Sequence, residues 1–212
     1  MNIVVITGVS RGLGLVLAKT FAEADWTVVG TGRSERPAEL PERVVYQQFD
    51  ASDAAAGEAF WKQLASEYPD AAVCLVNNAG GYVGGGLVDT GTEDYAGQMQ
   101  SCYFSAVYMT RGLALAVPKA KIINIVSSSA LQPEKENVAY GAAKAAERYF
   151  FQALQDEFPA AQYQITNLYP SYIATDSPDD KAMTAEDVAQ FVRGQAESTT
   201  SFYLRDVTMY PR

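Results

Sequence analysis

The sequence predicts a doubly wound α/β fold: a single domain, 1–212, built on a seven-stranded, mostly parallel sheet with helices on both faces. Three observations point to it. Short runs rich in β-branched residues recur along the chain, and segments with helical spacing separate them. The runs are almost continuously apolar, as strands are when crossover helices cover both faces of a parallel sheet. With 212 residues, 48% hydrophobic and 19% charged, the chain is long and apolar enough for one full core. No internal repeat and no Ser/Gly-rich or Pro-rich linker divides it.

The elements follow in order. Strand 3–7 runs into a glycine turn that opens helix 13–24. Strand 26–31 is followed by 33–43, where Pro37 and Pro41 leave room for little more than one helical turn before strand 44–49. Helix 54–67 leads to strand 72–77, which ends at a glycine-rich stretch, 80–91, around Tyr82. That stretch reads as a mobile loop at the carboxyl edge of the sheet, where open α/β sheets bind ligands. Helix 94–117, strand 121–127, helix 138–158, strand 163–168, helix 185–197 and strand 202–208 complete the alternation.

Composition removes several function classes. Sixteen Lys and Arg against 25 Asp and Glu leave a net charge of −9 with no basic cluster, which argues against a nucleic acid or an anionic membrane as partner. There are no histidines, so Ser-His-Asp and Cys-His relays and the commonest metal ligand are excluded and no metal is expected. Proton transfer must fall to Tyr, Lys or a carboxylate. Cys74 and Cys102 are too few for a disulfide framework and fit a reducing, cytoplasmic setting. The first residues lack a basic leader and a cleavage site, and no apolar run approaches the ~18 residues that span a bilayer, so a soluble, unprocessed chain is expected.

Three stretches carry chemistry. In the first, Thr7, Gly8, Gly12 and Gly14 lie between a strand and a helix. Gly8 permits a tight turn, Gly12 lets the backbone approach a pyrophosphate, and Gly14 allows close helix packing, with free N–H groups at the helix start. Such turns also serve ordinary connections. The second stretch is the end of strand 26–31, where Arg33 stands in place of the acid that would hold an adenosine ribose. With Arg11 in the glycine loop, Arg33 offers planar cations for a 2′-phosphate, which favours NADP(H) over NAD(H). Asp50, after the third strand, either meets the adenine amino group or caps the next helix. In the third stretch, Ser127, Ser128 and Ser129 follow a strand, and Tyr140 and Lys144 open a long helix at i, i+4. The ammonium on the same helical face favours the phenolate and lowers the tyrosine pKa from about 10.

Taken together these pieces resemble the short-chain dehydrogenase/reductase family, in family order and over nearly the whole chain. Thr7, Gly8, Gly12 and Gly14 resemble its cofactor loop, and Asn77, Asn78, Ala79 and Gly80 its fourth-strand signature. Ser127, Tyr140 and Lys144 resemble its catalytic set, and Pro170 with Thr175 its segment after the sixth strand. The resemblance implies a Rossmann-type domain that moves a hydride between NADP(H) and a carbonyl or alcohol carbon. Tyr140 is then the general acid of reduction, Lys144 adjusts it and binds nicotinamide ribose, and Ser127, with Ser128 as alternative, orients the substrate oxygen. Gly8, Ser10, Arg11, Gly12, Leu13, Gly14, Arg33, Asp50, Ala51, Asn78, Ala79, Gly80, Tyr140, Lys144, Pro170, Ile173 and Thr175 are implied to contact the cofactor, while Asn77 ties strands together.

Three departures qualify the resemblance. Cys102 stands where the family carries an Asn that holds a relay water, leaving Gln98, Gln100, Ser101 or water alone for that task. Ser171 follows Pro170 where the family commonly has glycine. The stretch 177–184 is short for a substrate lid, which implies an open cleft with Tyr82, Gln132, Tyr169, Tyr172 and Met183 as walls. A small ketone or aldehyde is the expected substrate, and pairing through helices 94–117 and 138–158 into a homodimer or homotetramer is expected. The competing expectation is an NADPH sensor on the same fold, which binds the dinucleotide without turnover.

Overall fold

The computed structural model describes residues 1–175, 179 and 181–212. Its elements are β1 (Asn2–Thr7), α1 (Gly12–Ala22), β2 (Thr27–Gly32), β3 (Val45–Gln48), α2 (Ala54–Glu67), β4 (Ala72–Asn77), α3 (Thr92–Gln98), α4 (Ser105–Ala116), β5 (Ala120–Ile125), α5 (Val138–Glu157) and β6 (Tyr163–Pro170). After them come β7 (Ile173–Ala174), β8 (Met183–Thr184), α6 (Ala185–Glu197) and β9 (Asp206–Met209). A 7-stranded sheet runs in the order β3-β2-β1-β4-β5-β6-β9, and every pairing in it is parallel. The order reverses at β1, so the carboxyl ends of β1 and β4 flank the crevice where a ligand is held in such sheets.

The alternation of strand side chains divides the core into two layers. Val4, Ile6, Val28, Ile123 and Leu168 face α1 and α6, where Leu17, Phe21, Val188 and Val192 meet them. Ile3, Val5, Leu75, Ile122 and Ile165 face α2, α4 and α5, and pack on Trp61, Met109, Leu113 and Phe151. One line of polar residues crosses the sheet: Asn77, Asn124, Asn167 and Asp206 are register partners on β4, β5, β6 and β9. The Asn77 amide donates to Asn124 at 2.9 Å, Asn124 donates to Asn167 at 2.8 Å, and Asn167 donates to Asp206 at 3.2 Å. Asn77 also donates to Thr110 of α4 at 3.0 Å.

Some boundaries differ from expectation. The crossover 33–43 holds no helix; the Arg36 guanidinium donates to the carbonyls of Leu40, Pro41 and Val44 and holds the stretch without one. The expected helix 94–117 is α3, a π-helical segment Met99–Phe104, and α4. Ser105 donates its hydroxyl to the carbonyls of Ser101 and Cys102, engaging acceptors that a regular ladder would use. The last strand starts at Asp206 rather than 202: the Arg205 carbonyl still accepts from the Asn167 N–H of β6 at 2.7 Å, whereas the Leu204 carbonyl accepts from the Thr166 hydroxyl. The glycine-rich stretch 80–91 is tied to the start of α5, with the Gly85 N–H donating to Glu136 at 2.6 Å and the Val138 N–H donating to Gly85 at 3.4 Å. Among the described residues no helix is long and apolar enough to cross a membrane.

Candidate active site

The turn between β1 and α1 is shaped by close approach. Gly8 and Gly12 adopt φ of +74° and +55°, left-handed values that L side chains resist. A Cβ on Gly14 would lie 2.0 Å from the Gly8 carbonyl oxygen, so α1 seats on the turn only with glycine there. Thr7 Oγ1 accepts from the N–H groups of Asn78 and Ala79 at 3.0 and 2.9 Å, and the Asn78 amide donates to the carbonyls of Thr7 and Gly8 at 2.9 and 3.2 Å. Asn78 and Ala79 therefore clamp the turn from the end of β4. Arg11 precedes α1 in extended conformation and offers no side-chain cap, and the first turn of α1 has no acid. Its leading N–H groups are left for an anion. Ser10 is half-buried, and the Leu13 side chain is in the core, so only the Leu13 backbone faces the turn.

Across the turn, the Thr175 side chain lies 3.5 Å from where a Cβ on Gly12 would be. Arg33 leaves the end of β2 exposed, as Arg11 does, and among the described residues neither forms an ion pair. Asp50 does not cap α2: its Oδ1 accepts from the Ser52 N–H and hydroxyl at 2.9 and 2.7 Å, and Asp53 supplies the cap to Ala55 and Ala56. The Ala51 side chain is buried in the core. Pro170 ends β6, Ser171 donates its N–H to Met209 at 2.9 Å, and Ile173 packs beside the α1 and α6 layer.

The second half of the site assembles where β5 and α5 meet. Ser127 lies just past β5 at the start of a short 3₁₀ turn, Ser128–Ala130, and accepts from the Ser129 N–H at 3.1 Å. Of the three serines, Ser127 is the one whose hydroxyl faces the Tyr140 phenol, while the Ser129 hydroxyl donates to Glu134 at 3.0 Å. Lys144 Nζ sits 6.0 Å from the centroid of the Tyr140 ring. Tyr82 packs edge-on against that ring, with centroids 5.2 Å apart, so the loop 80–91 forms a wall here. The expected lowering of the Tyr140 pKa is corrected: burial of the phenol raises it, while the Lys144 charge and Ser127 pull the other way, and Cys102 and Glu147 add to the rise. Desolvation outweighs the ammonium, whose charge is paired with a neighbour that adds the smallest part of the rise.

That neighbour is Glu147, a residue the sequence reading passed over. Lys144 Nζ donates to Glu147 Oε2 at 2.7 Å and to the Ile125 carbonyl at 2.9 Å, and the two side chains are 5% and 2% exposed. A signal was available: Lys144, Glu147 and Phe151 share the buried face of α5 at i, i+3 and i+7.

The other expected residues fall out variously. Cys102 is buried, and its thiol donates to the Gly81 carbonyl at 3.5 Å. Gln100 points away, donating to Ser52 at 2.9 Å, whereas the amide of Gln98 and the hydroxyl of Ser101 lie 3.7 and 3.9 Å from where a Cβ on Gly81 would be. Gly80 leaves room for both Cys102 and Lys144; a Cβ there would stand 3.2 Å from Sγ and 3.9 Å from Nζ. Tyr169 is no cleft wall: it is 1% exposed and donates its hydroxyl to Asp206. Met183 packs against the core, while Gln132 and Tyr172 are exposed. Within the expected lid, Ser177, Pro178 and Asp180 lie outside the described residues.

Known proteins are similar to this chain in sequence and fold. A family model described as short chain dehydrogenase matches residues 2–186. An NADP-dependent 3-hydroxy acid dehydrogenase, YdfG, of Salmonella typhi is 28% identical over 99% of this chain and 94% of its own. A serine dehydrogenase structure from Escherichia coli is similar with a TM-score of 0.86 and 27% identity, over 99% of this chain and 97% of that one. A closed form of serine dehydrogenase, complexed with NADP+, gives a TM-score of 0.88 at 26% identity, covering 99% and 94%. With the glycine turn, the clamp from β4 and the Ser-Tyr-Lys cluster in one fold, the chain belongs to the short-chain dehydrogenase family.

Proposed function

We propose that the protein is an NADP(H)-dependent oxidoreductase that reduces a ketone or aldehyde to an alcohol, with Tyr140 as general acid/base. The observation that carries it is the convergence of Ser127, Tyr140 and Lys144 at the end of β5 and the start of α5. The turn 8–14 fits a phosphorylated dinucleotide: its glycines leave no side chain over the cradle, and the helix start is uncapped. Backbone of Gly8 to Gly14 would hold the pyrophosphate, Arg11 and Arg33 the 2′-phosphate, Asp50 and Ala51 the adenine side. Ala79, Gly80, Pro170, Ile173 and Thr175 would line the nicotinamide half. When bound, the dinucleotide supplies the hydride that adds to the carbonyl carbon.

The protein's own residues handle charge and proton. Ser127 donates to the substrate oxygen and stabilises the charge that builds there. Tyr140 gives its hydroxyl proton to that oxygen, which becomes the alcohol hydroxyl, and the resulting phenolate is left beside the Lys144 ammonium. In oxidation the same atoms run in reverse. The raised Tyr140 pKa leaves the phenol in the protonated form that donation to the substrate oxygen requires.

Replacing Tyr140 by Phe tests the reading. The variant should still quench on binding NADPH yet lose carbonyl reduction by about 10²-fold or more, assayed on a panel containing an aromatic ketone, an aldehyde and a 3-oxo acid. Retained turnover would sink the assignment. Cys102, whose thiol is turned to Gly81, favours a second reading as an NADPH sensor; wild-type binding without oxidation on the whole panel would select it. The same proposal places the protein in the cytoplasm as a homodimer or homotetramer, supported by the free thiols of Cys74 and Cys102 and by apolar surface at Leu115 of α4 and Tyr149 of α5.

A further inference from the structure

Two opposite charges buried this deeply need each other. Removing either partner leaves an uncompensated charge away from water. Lys144 and Glu147 are i and i+3 on α5, so the helix itself sets their separation. An ammonium has three N–H donors. The Ile125 carbonyl and Glu147 Oε2 take two of them, at 2.9 and 2.7 Å, which leaves one for the cleft where Tyr140 stands. Among the described residues, the titratable groups that face this cluster come from three places: Tyr140, Lys144 and Glu147 on α5, Cys102 on the π-helical segment, and Tyr82 on the loop 80–91. β5 and the turn after it contribute only the uncharged Ile125 carbonyl and Ser127 hydroxyl.

We propose that Glu147 is a positioning residue that acts through Lys144: its buried carboxylate keeps the ammonium charged and anchored against β5, so that its remaining N–H serves the Tyr140 side of the cleft. The role rests on the oxidoreductase reading above. Burial by itself lowers Lys144, but the Glu147 charge, followed by Tyr140 and Cys102, raises it above the ordinary ammonium range. Burial likewise raises Glu147, and Lys144 opposes that rise. Without the carboxylate charge the ammonium gives up its proton at lower pH. The phenolate that forms as Tyr140 acts as an acid then loses its counter-charge, and reduction slows at lower pH than before.

The test is a pH series on wild type, Glu147→Gln and Glu147→Asp with two readouts. NADPH-dependent carbonyl reduction gives the alkaline limb. The side-chain ¹⁵N signal of Lys144, assigned with Lys144→Arg, reports its ionisation without turnover. In the wild type the ammonium should persist above the ordinary lysine range of about 10.4. In Glu147→Gln the Lys144 titration and the alkaline limb should both fall by about one pH unit or more, and Glu147→Asp, which keeps the charge, should restore most of both. A folded Gln variant with unchanged limb and unchanged titration overturns the proposal. So does a wild-type Lys144 that titrates within or below the ordinary range, and that measurement decides if the Gln variant does not fold. A wild type that never oxidises NADPH rejects the oxidoreductase reading instead, and the ¹⁵N titration still accepts or rejects the hold of Glu147 on the ammonium.

Discussion

Arg33 and Arg11 are exposed cations in a chain whose net charge is −9, and neither forms an ion pair among the described residues. Arg36 is close in sequence, yet its guanidinium is engaged by three backbone carbonyls of the crossover. The two kinds of arginine cannot be told apart by type or spacing, only by what they touch. If Arg33 holds a 2′-phosphate, Arg33→Ala removes a charge-assisted hydrogen bond worth about 1.5–3 kcal/mol, discounted at an exposed site. The KM for NADPH should rise roughly tenfold while that for NADH stays put; equal effects on both, in steady-state assays, would remove Arg33 from cofactor choice. The i, i+4 spacing of Tyr140 and Lys144 was legible because helix geometry alone fixes it. The direction of the Tyr140 shift was not, since burial depends on elements far along the chain. Glu147 escaped notice for the same reason: a glutamate three residues from a lysine on a helix ordinarily marks a solvated face.

Elements here are held by shape as much as by apolar area. α2 and α4 meet at Gly112, where a Cβ would lie 2.7 Å from Trp61 Cδ1 and 3.0 Å from the Gly57 carbonyl. Gly112→Ala should therefore cost about 1–3 kcal/mol by overpacking, read as a lower denaturant midpoint with unchanged slope. A variant as stable as wild type would show that α4 shifts freely. The strands of the sheet centre were readable as elements because β-branched runs bounded by turns have few other solutions. The break in helix 94–117 was not, because a π-helical segment leaves the hydrophobic pattern almost intact and is set by Ser105 and its backbone bonds. The late start of β9 likewise goes with a side chain of β6, Thr166, whose hydroxyl takes the Leu204 carbonyl.

At the scale of the whole molecule, Leu115 and Tyr149 present 64% and 79% of their surface to solvent on α4 and α5. Should these helices pair with a second copy, Tyr149→Glu would place a charge in an apolar contact and convert the oligomer to monomer in light scattering. An unchanged mass would place the contact elsewhere. The fold was legible end to end because alternation and parallel-sheet burial constrain each other, whereas oligomer contacts leave no period in a sequence. The line of amides through Asn77, Asn124 and Asn167, which ends on the Asp206 carboxylate, has a further consequence for the register of the sheet. A slip of one residue between β4, β5 and β6 would swing each amide to the opposite face and strand it among aliphatic side chains, at about 1–3 kcal/mol per unmade bond. Misaligned sheets are thus costlier than the native register. Ser127, which follows β5, takes its place from that register, and the bond from Lys144 to the Ile125 carbonyl then sets the start of α5, with Tyr140, against it.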